Sequence, residues 1–153
     1  MAKRGDHSLA ALQKVNDPQV FHCLVRLCVS FCRVVHLLRT VPPSFSGQAL
    51  SSFDSRIRKS FSLGTGVLFT AQAWEQISLP PARGGAGLQS ASAHASGAYI
   101  ASVSRAAELD KWDASAADGW SEAVADFCAR SGLNLSDFDN LKCLKQWSLS
   151  KND

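Results

Sequence analysis

The chain has 153 residues, 46% of them hydrophobic and 19% charged, and carries a formal net charge of +3. This composition excludes wholesale disorder and is typical of one globular domain built around a single core. The charge is uneven, because residues 1–83 contain ten Lys or Arg and four Asp or Glu, whereas residues 84–153 contain six and nine. The basic half is therefore the candidate for contact with a polyanion.

The cysteines indicate an intracellular protein. Their number is odd, no Cys-x-x-Cys pair occurs and no secretory leader precedes them, so we expect reduced thiols and a cytoplasmic or nuclear location. They are Cys23, Cys28, Cys32, Cys128 and Cys143. Cys28, Cys32 and His36 share a four-residue spacing, but a closed zinc site needs a fourth ligand, so buried thiols are favoured and no metal is predicted.

The first helices can be placed from spacing and caps. Leu9, Leu12 and Val15 predict a short helix that begins near Asp6. Asp17-Pro18 is a preferred helix start and predicts a second helix to about Thr40. The apolar stretch in it, residues 20–38, contains two arginines, so we expect a bundle helix and no membrane span.

The second predicted helix has one narrow polar stripe. At 100° per residue the stripe comprises Gln19, His22, Arg26, Ser30, Arg33, His36 and Thr40. It has two interpretations. Arg26 and Arg33 could face phosphate groups, since each guanidinium can fork onto an oxyanion. The stripe could instead be a solvated face on which arginine stems cover apolar neighbours.

A third helix is predicted from Ser46 or Gly47 to the glycines at 64 and 66. Its inward row is Leu50, Phe53, Ile57 and Phe61, and its outward basic residues are Arg56, Arg58 and Lys59. Asp54 and Arg58 have the spacing of an i,i+4 ion pair. Thr70 is the predicted cap of a short helix that carries Trp74.

The middle of the chain contains a break and a glycine-rich reversal. Pro80 and Pro81 stop the helix of Trp74. Three glycines at 84, 85 and 87 favour positive φ and a tight turn, which predicts a short β-hairpin between residues 77–79 and 86–88. A helix of small side chains follows Ser90.

The remaining sequence predicts an acidic link around Trp112, a helix from Gly119 to Arg130, and a last helix that begins at Ser136 or Asp137. The expected fold is mainly α: a single helical domain of about six or seven helices with a short β-hairpin at the glycine turn.

This order of features resembles the segment that follows the catalytic palm in reverse transcriptases of non-LTR retrotransposons. The matching residues are Trp74, Leu79, Pro80, Gly84, Gly85, Gly87, Leu88, Ala98, Tyr99, Ile100, Ala101 and Ser102. The upstream stretch CLVRLCVSFCRVVHLLRTVPPS looks like the helix that leaves the palm in that family. The resemblance covers residues 12–102 and departs from the family pattern at Ala86 and Gln89.

The resemblance implies a thumb-like segment over residues 1–109, with a helical extension over residues 110–153 packed on the same core. The parent would be an RNA-directed DNA polymerase whose palm and fingers lie upstream. The chain itself is expected to be noncatalytic and without a cofactor, because two-metal nucleotidyl transfer needs closely spaced carboxylates and the chain has no adjacent Asp pair.

The expected role is to help hold template-primer nucleic acid, an RNA-DNA or DNA duplex, through its phosphate backbone. The candidate binding residues are Arg26, Arg33, Arg56, Arg58, Lys59 and Arg83. The residues expected to shape or anchor the glycine turn are Trp74, Leu79, Pro80, Gly84, Gly85, Gly87, Leu88 and Tyr99. An alternative hypothesis is a relic or repurposed helical module that binds another protein, and a third is a chain without a selected function.

Overall fold

The computed structural model describes residues 8–134. Within this range the chain is mainly α-helical and contains no strand, so the predicted fold class is confirmed and the predicted β-hairpin is wrong. Six α-helices have both ends in the range: α1 Pro18–Leu24, α2 Val35–Thr40, α3 Pro43–Thr65, α4 Ala71–Ser78, α5 Ala91–Asp110 and α6 Trp120–Ser131. Residues 8–12 are also helical. The predicted cap at Asp6 and the predicted last helix lie outside the described residues.

The chain divides into two compact units. Unit 1 comprises residues 1–35 and 48–92, and unit 2 comprises residues 36–47 and 93–153. The predicted division at residues 109 and 110 stays a prediction.

The predicted continuous helix over residues 18–40 is interrupted. Asp17 caps its start as predicted, with its carboxylate accepting from the amides of Gln19 at 2.8 Å and Val20 at 3.0 Å. The α-helix ends at Leu24 and continues as a π-helical turn, Val25–Val29, in which the Ser30 amide donates to the Val25 carbonyl five residues back. A 3-10 turn, Phe31–Arg33, precedes α2.

This interruption changes which side chains are buried. A π-helical turn holds more residues than an α-helical turn, so the 100° spacing of the polar stripe does not extend through Val29. Ser30, predicted on the polar stripe, is 2% exposed, and its hydroxyl donates to the Arg26 carbonyl. Leu27, which is not on the predicted polar stripe, is 66% exposed.

The core of unit 1 joins α1, the π-helical turn, α3 and Leu88, which follows the three clustered glycines. Its buried members are Phe21, Val25, Val29, Ile57, Phe61 and Leu88. Phe61 stacks on Phe21 and Phe69, with ring centroids 6.0 and 5.7 Å apart, and meets Trp74 edge-on. The inward row predicted for α3 is confirmed, although the helix begins at Pro43, a few residues before the predicted start.

The core of unit 2 lies between α5 and α6. Its buried members are Tyr99, Ile100, Ala123, Val124, Phe127 and Cys128. Two hydrogen bonds accompany this packing: the Tyr99 hydroxyl donates to the Asp118 carbonyl at 2.6 Å, and the Ser96 hydroxyl donates to the Asp126 carboxylate at 2.5 Å. The small side chains of α5 therefore include buried, partnered polar groups as well as apolar contacts.

Candidate nucleic-acid interface

The glycine turn, residues 80–88, follows the end of helix α4 and contains residues with positive φ. Helix α4 is capped by Thr70, whose hydroxyl accepts from the Ala73 amide as predicted, and it ends at Ser78. A 3-10 turn, Pro81–Arg83, then leads to Gly84, which has φ +75°. Gly87 has φ +70°. Both positions are in the backbone region that favours glycine.

Gly85 departs from the prediction, because its φ is not positive. Its backbone lies instead against the end of α4. A Cβ added at Gly85 would collide with the carbonyl group of Leu79. Gly85 is therefore required because two backbone segments approach each other closely, whereas the sequence suggests that it is required for positive φ.

The amide groups of residues 83–88 in the glycine turn donate to backbone carbonyl groups. Ala86 and Leu88 donate to the Ile77 carbonyl at 2.9 and 3.4 Å, and Gly87 donates to Leu79 at 2.8 Å. The amides of residues 83–85 donate to the carbonyls of Pro80 and Pro81. These bonds replace the predicted hairpin, since Ile77 is still in helix α4 and cannot form a strand. The amides of residues 83–88 are thus already used, so a phosphate contact at the glycines must come from side chains.

Two side chains lie against this turn, one from α1 and one from the π-helical turn. His22 is half-buried, and its Nε2 is 2.8 Å from the Ala86 carbonyl oxygen. Arg26 is exposed, yet its guanidinium stands beside Gly87: a Cβ built there would be 2.8 Å from Arg26 Nε. Arg26, which follows His22 by one helical turn on the predicted polar stripe, is therefore next to the glycine turn.

Arg58 has contacts that hold it within unit 1. Its Nη2 donates to the Phe69 carbonyl at 2.6 Å, and its guanidinium carbon is 5.8 Å from the centre of the Trp74 ring. These contacts tie α3 to the loop before α4. The predicted Asp54–Arg58 pair is wrong, because no ion pair between the two is formed within the part of the chain that the structure describes.

Asp54 instead caps helix α5. Its carboxylate accepts from the amides of Ala91 at 2.8 Å and Ser92 at 2.9 Å, and from the hydroxyls of Ser90 and Ser92 at 2.7 Å. This contact is not predictable from the sequence. A serine at the start of a helix suggests a local cap, and nothing in the sequence points to a carboxylate 36 residues upstream.

The remaining candidate residues are placed as follows. Arg33 is exposed, and its Nη1 is 3.4 Å from the Ser8 hydroxyl. Lys59 and Arg83 are exposed, and Arg56 is half-buried. All six candidate basic residues are in unit 1, and the ion pairs described, Arg105–Glu108 and Arg130–Asp126, are in unit 2.

The residues expected to anchor the turn are divided between the units. Leu88 is buried in the core of unit 1, and Trp74 packs against the same core. Leu79 and Pro80 are half-buried at the end of α4. Tyr99 belongs to the core of unit 2.

Neither a metal centre nor a membrane span is established. Among residues 8–134, no group of three or more His, Cys, Asp or Glu side chains could hold a metal ion. The segment Pro18–Thr40 is long and apolar enough to cross a membrane by length and composition alone, a test that core helices of soluble proteins and signal sequences also pass.

Comparison with other proteins identified no relative: no protein-family model, curated protein or solved structure matches the chain.

Proposed function

We propose that this chain is a noncatalytic, thumb-side part of a reverse-transcriptase-like retroelement protein and helps hold a nucleic-acid duplex through its phosphate backbone. The proposal starts from the residues around the glycine turn that resemble the post-palm segment of non-LTR retrotransposon enzymes. Polymerase chemistry would belong to a palm and fingers upstream, since this chain has no adjacent Asp pair.

The observation that carries the proposal is the position of Arg26 beside Gly87. An exposed guanidinium that lies against the turn offers planar donors that suit a phosphate oxygen pair. The glycine permits this approach, because any larger residue at position 87 would meet the arginine side chain.

The charge of unit 1 supports the same function. The unit contains nine Lys or Arg and four Asp or Glu. Two of its carboxylates, Asp17 and Asp54, are occupied by helix-capping hydrogen bonds. Arg26, Arg33, Lys59 and Arg83 make no ion pair within the described residues, so their charge is available to a polyanion.

The test is binding of the full chain to a short labelled RNA-DNA duplex at low salt. We expect Kd in the micromolar range, as for sequence-independent binding through ~2–4 phosphate contacts. Replacing Arg26 and Arg33 together by glutamine should weaken binding about tenfold or more.

The matched control is a variant with glutamine at Arg105 and Arg130, which removes the same charge from unit 2. It should bind as the parent does. Equal weakening in both variants would contradict a specific contact at Arg26 and Arg33, and so would a folded parent that binds no duplex.

A second candidate function, binding to another protein, is favoured by apolar side chains exposed near the end of α3. Leu63 is exposed on the helix, and Val67 and Leu68 are exposed in the loop after it, Leu68 to 93%. Phe69 and Arg58 fix this loop from within. This second function would be favoured by two results together: the chain binds no duplex, and substitution of Val67 and Leu68 abolishes its association with a protein.

A further inference from the structure

A compact surface at the end of helix α5 has features that duplex binding does not explain. We name it the 109–113 patch: Leu109, Asp110, Lys111, Trp112 and Asp113. All five residues are exposed, Leu109 to 65% and Trp112 to 40%. A large aliphatic and an aromatic residue thus lie three positions apart in the chain, in unit 2, whereas the six candidate basic residues belong to unit 1.

The backbone of the patch is fixed. The Trp112 amide donates to the Ala107 carbonyl at 3.2 Å, the six-to-one bond of a Schellman helix end. This bond places Lys111 at the left-handed position, where φ is +56°. Glycine is the usual residue there, since a side chain at positive φ costs about 1 kcal/mol. The chain turns back at this point and keeps Trp112 beside the last turn of the helix.

The patch contains two carboxylates and one ammonium group, a net charge of −1, at a helix end that is already negative. The C-terminus of a helix carries about half a negative charge, which favours basic residues in the last turn. Helix α5 ends instead on Asp110, whose carboxylate makes no hydrogen bond or ion pair among the described residues. Asp113 is fully exposed and, like an ordinary aspartate, ionised at neutral pH; hydrogen bonds from Ser115 lower its pKa further.

Two of these features work against the stability of the isolated chain. A left-handed lysine and a carboxylate at the negative end of a helix each oppose a local preference, and they coincide in five residues with two exposed apolar side chains. Such coincidences are expected where a surface has been shaped for a partner.

We propose that the 109–113 patch docks a basic segment of a partner protein that also carries an aliphatic or aromatic anchor residue. Leu109 and Trp112 supply the apolar contact, and tryptophan is the side chain most often found at the energetic centre of an interface. Asp110, Asp113 and the last carbonyl groups of α5 supply acceptors for lysine or arginine. This site is independent of the proposed duplex contact.

The test uses the full chain and a labelled 14-residue peptide of leucine and lysine with helical spacing. Fluorescence anisotropy should show saturable binding of this peptide, and a peptide with glutamate in place of lysine should not bind. The double variant Leu109→Ser, Trp112→Ser keeps every charge and should bind the lysine peptide about tenfold more weakly or worse.

The control variant is Leu37→Ser, Phe45→Ser, which removes one exposed aliphatic and one exposed aromatic side chain elsewhere in unit 2 and should bind as the parent does. A third variant, Asp110→Lys, should also weaken binding and gives a second test if the double variant does not fold. Equal affinity of parent and folded patch variants would overturn the proposal. Self-association of the parent that the patch substitutions abolish would overturn it too, since the occupant would then be a second copy.

Discussion

Gly85 is required at its position because two backbone segments meet there. It sits where any Cβ would strike the Leu79 carbonyl, in a turn in which the amides of residues 86–88 are bonded to the carbonyls of Ile77 and Leu79. The structure can relieve such a collision only by moving the turn, and moving the turn breaks those bonds. The sensitivity of this site therefore comes from space and not from backbone strain.

Gly85→Ala should lower the free energy of unfolding by about 1–3 kcal/mol, the usual cost of inserting a methyl group where no room exists. Gly47→Ala is the matched control. It lies inside α3 with nothing within 4 Å of its added Cβ, and it should raise stability by about 0.5–1 kcal/mol. Urea denaturation of both variants measures the difference. A Gly85→Ala variant as stable as the parent would show that the turn is not packed as described.

Lys111→Gly should raise the free energy of unfolding by about 0.5–1 kcal/mol, because glycine adopts φ near +56° without the steric cost that lysine has. Lys111→Ala keeps the Cβ and should give no such gain. The measurement is the denaturation midpoint of each variant at equal m-value. Equal midpoints for the two variants would argue against a left-handed residue at position 111.

At the scale of single residues, the sequence predicts which residues form the turn better than it predicts why each of them is needed. The spacing of Gly84, Gly85 and Gly87 predicts a glycine-dependent turn, and all three residues do belong to one. A sequence cannot distinguish a glycine needed for positive φ from one needed for close approach, because the second depends on a neighbour brought in by tertiary packing.

Among the elements, helix α5 depends on a cap from a distant part of the chain. Asp54 satisfies two of its first amide groups and two serine hydroxyls at once. The first amide groups of a helix have no partner within that helix. A carboxylate beside them is also stabilised by the positive end of the helix dipole.

Asp54→Ala should therefore cost more than an ordinary capping substitution, about 2–3 kcal/mol. Asp17→Ala removes a cap with two amide bonds from the short helix α1 and should cost about 1 kcal/mol. Chemical denaturation under identical conditions compares the two. An Asp54 variant that loses no more stability than the Asp17 variant would contradict the capping role.

The contact between α5 and α6 predicts a dependence of stability on pH. Burial by itself raises the pKa of Asp126, but hydrogen bonds from Ser96 and Arg130 and the charge of Arg130 outweigh it, so the pKa is below its ordinary value. A carboxylate with a lowered pKa stabilises the fold above its unfolded pKa of about 3.9, and this contribution is lost as pH falls through the folded pKa.

Asp126→Asn should accordingly be less stable than the parent at pH 6, and the difference should shrink as the pH is lowered below about 4. Urea midpoints of the two proteins between neutral and acidic pH measure it. A difference that stays constant with pH would mean that the ionised form of Asp126 is not the one being stabilised.

The interrupted helix over residues 18–40 shows where element prediction fails. Its start at Asp17-Pro18 is encoded locally, and it is correct. The π-helical turn at Val25–Val29 is not visible in the hydrophobic spacing, because one widened turn shifts every later residue around the helix. The buried Ser30 and exposed Leu27 follow from that shift.

For the molecule as a whole, the helical fold class was predictable because helical spacing and caps are local properties. The candidate interface was predictable only in part. Sequence periodicity places Arg26 on a polar stripe, whereas its position beside Gly87 and the use of Arg58 inside unit 1 depend on contacts between distant residues. The family resemblance and the binding function stay predictions.

The most direct test of the central claim is the salt dependence of duplex binding. Each phosphate contact contributes about 0.9 to the slope of log K against log salt on a B-form duplex, so the variant with glutamine at Arg26 and Arg33 should show a slope smaller by ~1.8 than the parent. The variant with glutamine at Arg105 and Arg130 should keep the parent's slope. Identical slopes in all three folded proteins would contradict a phosphate-binding role for Arg26 and Arg33.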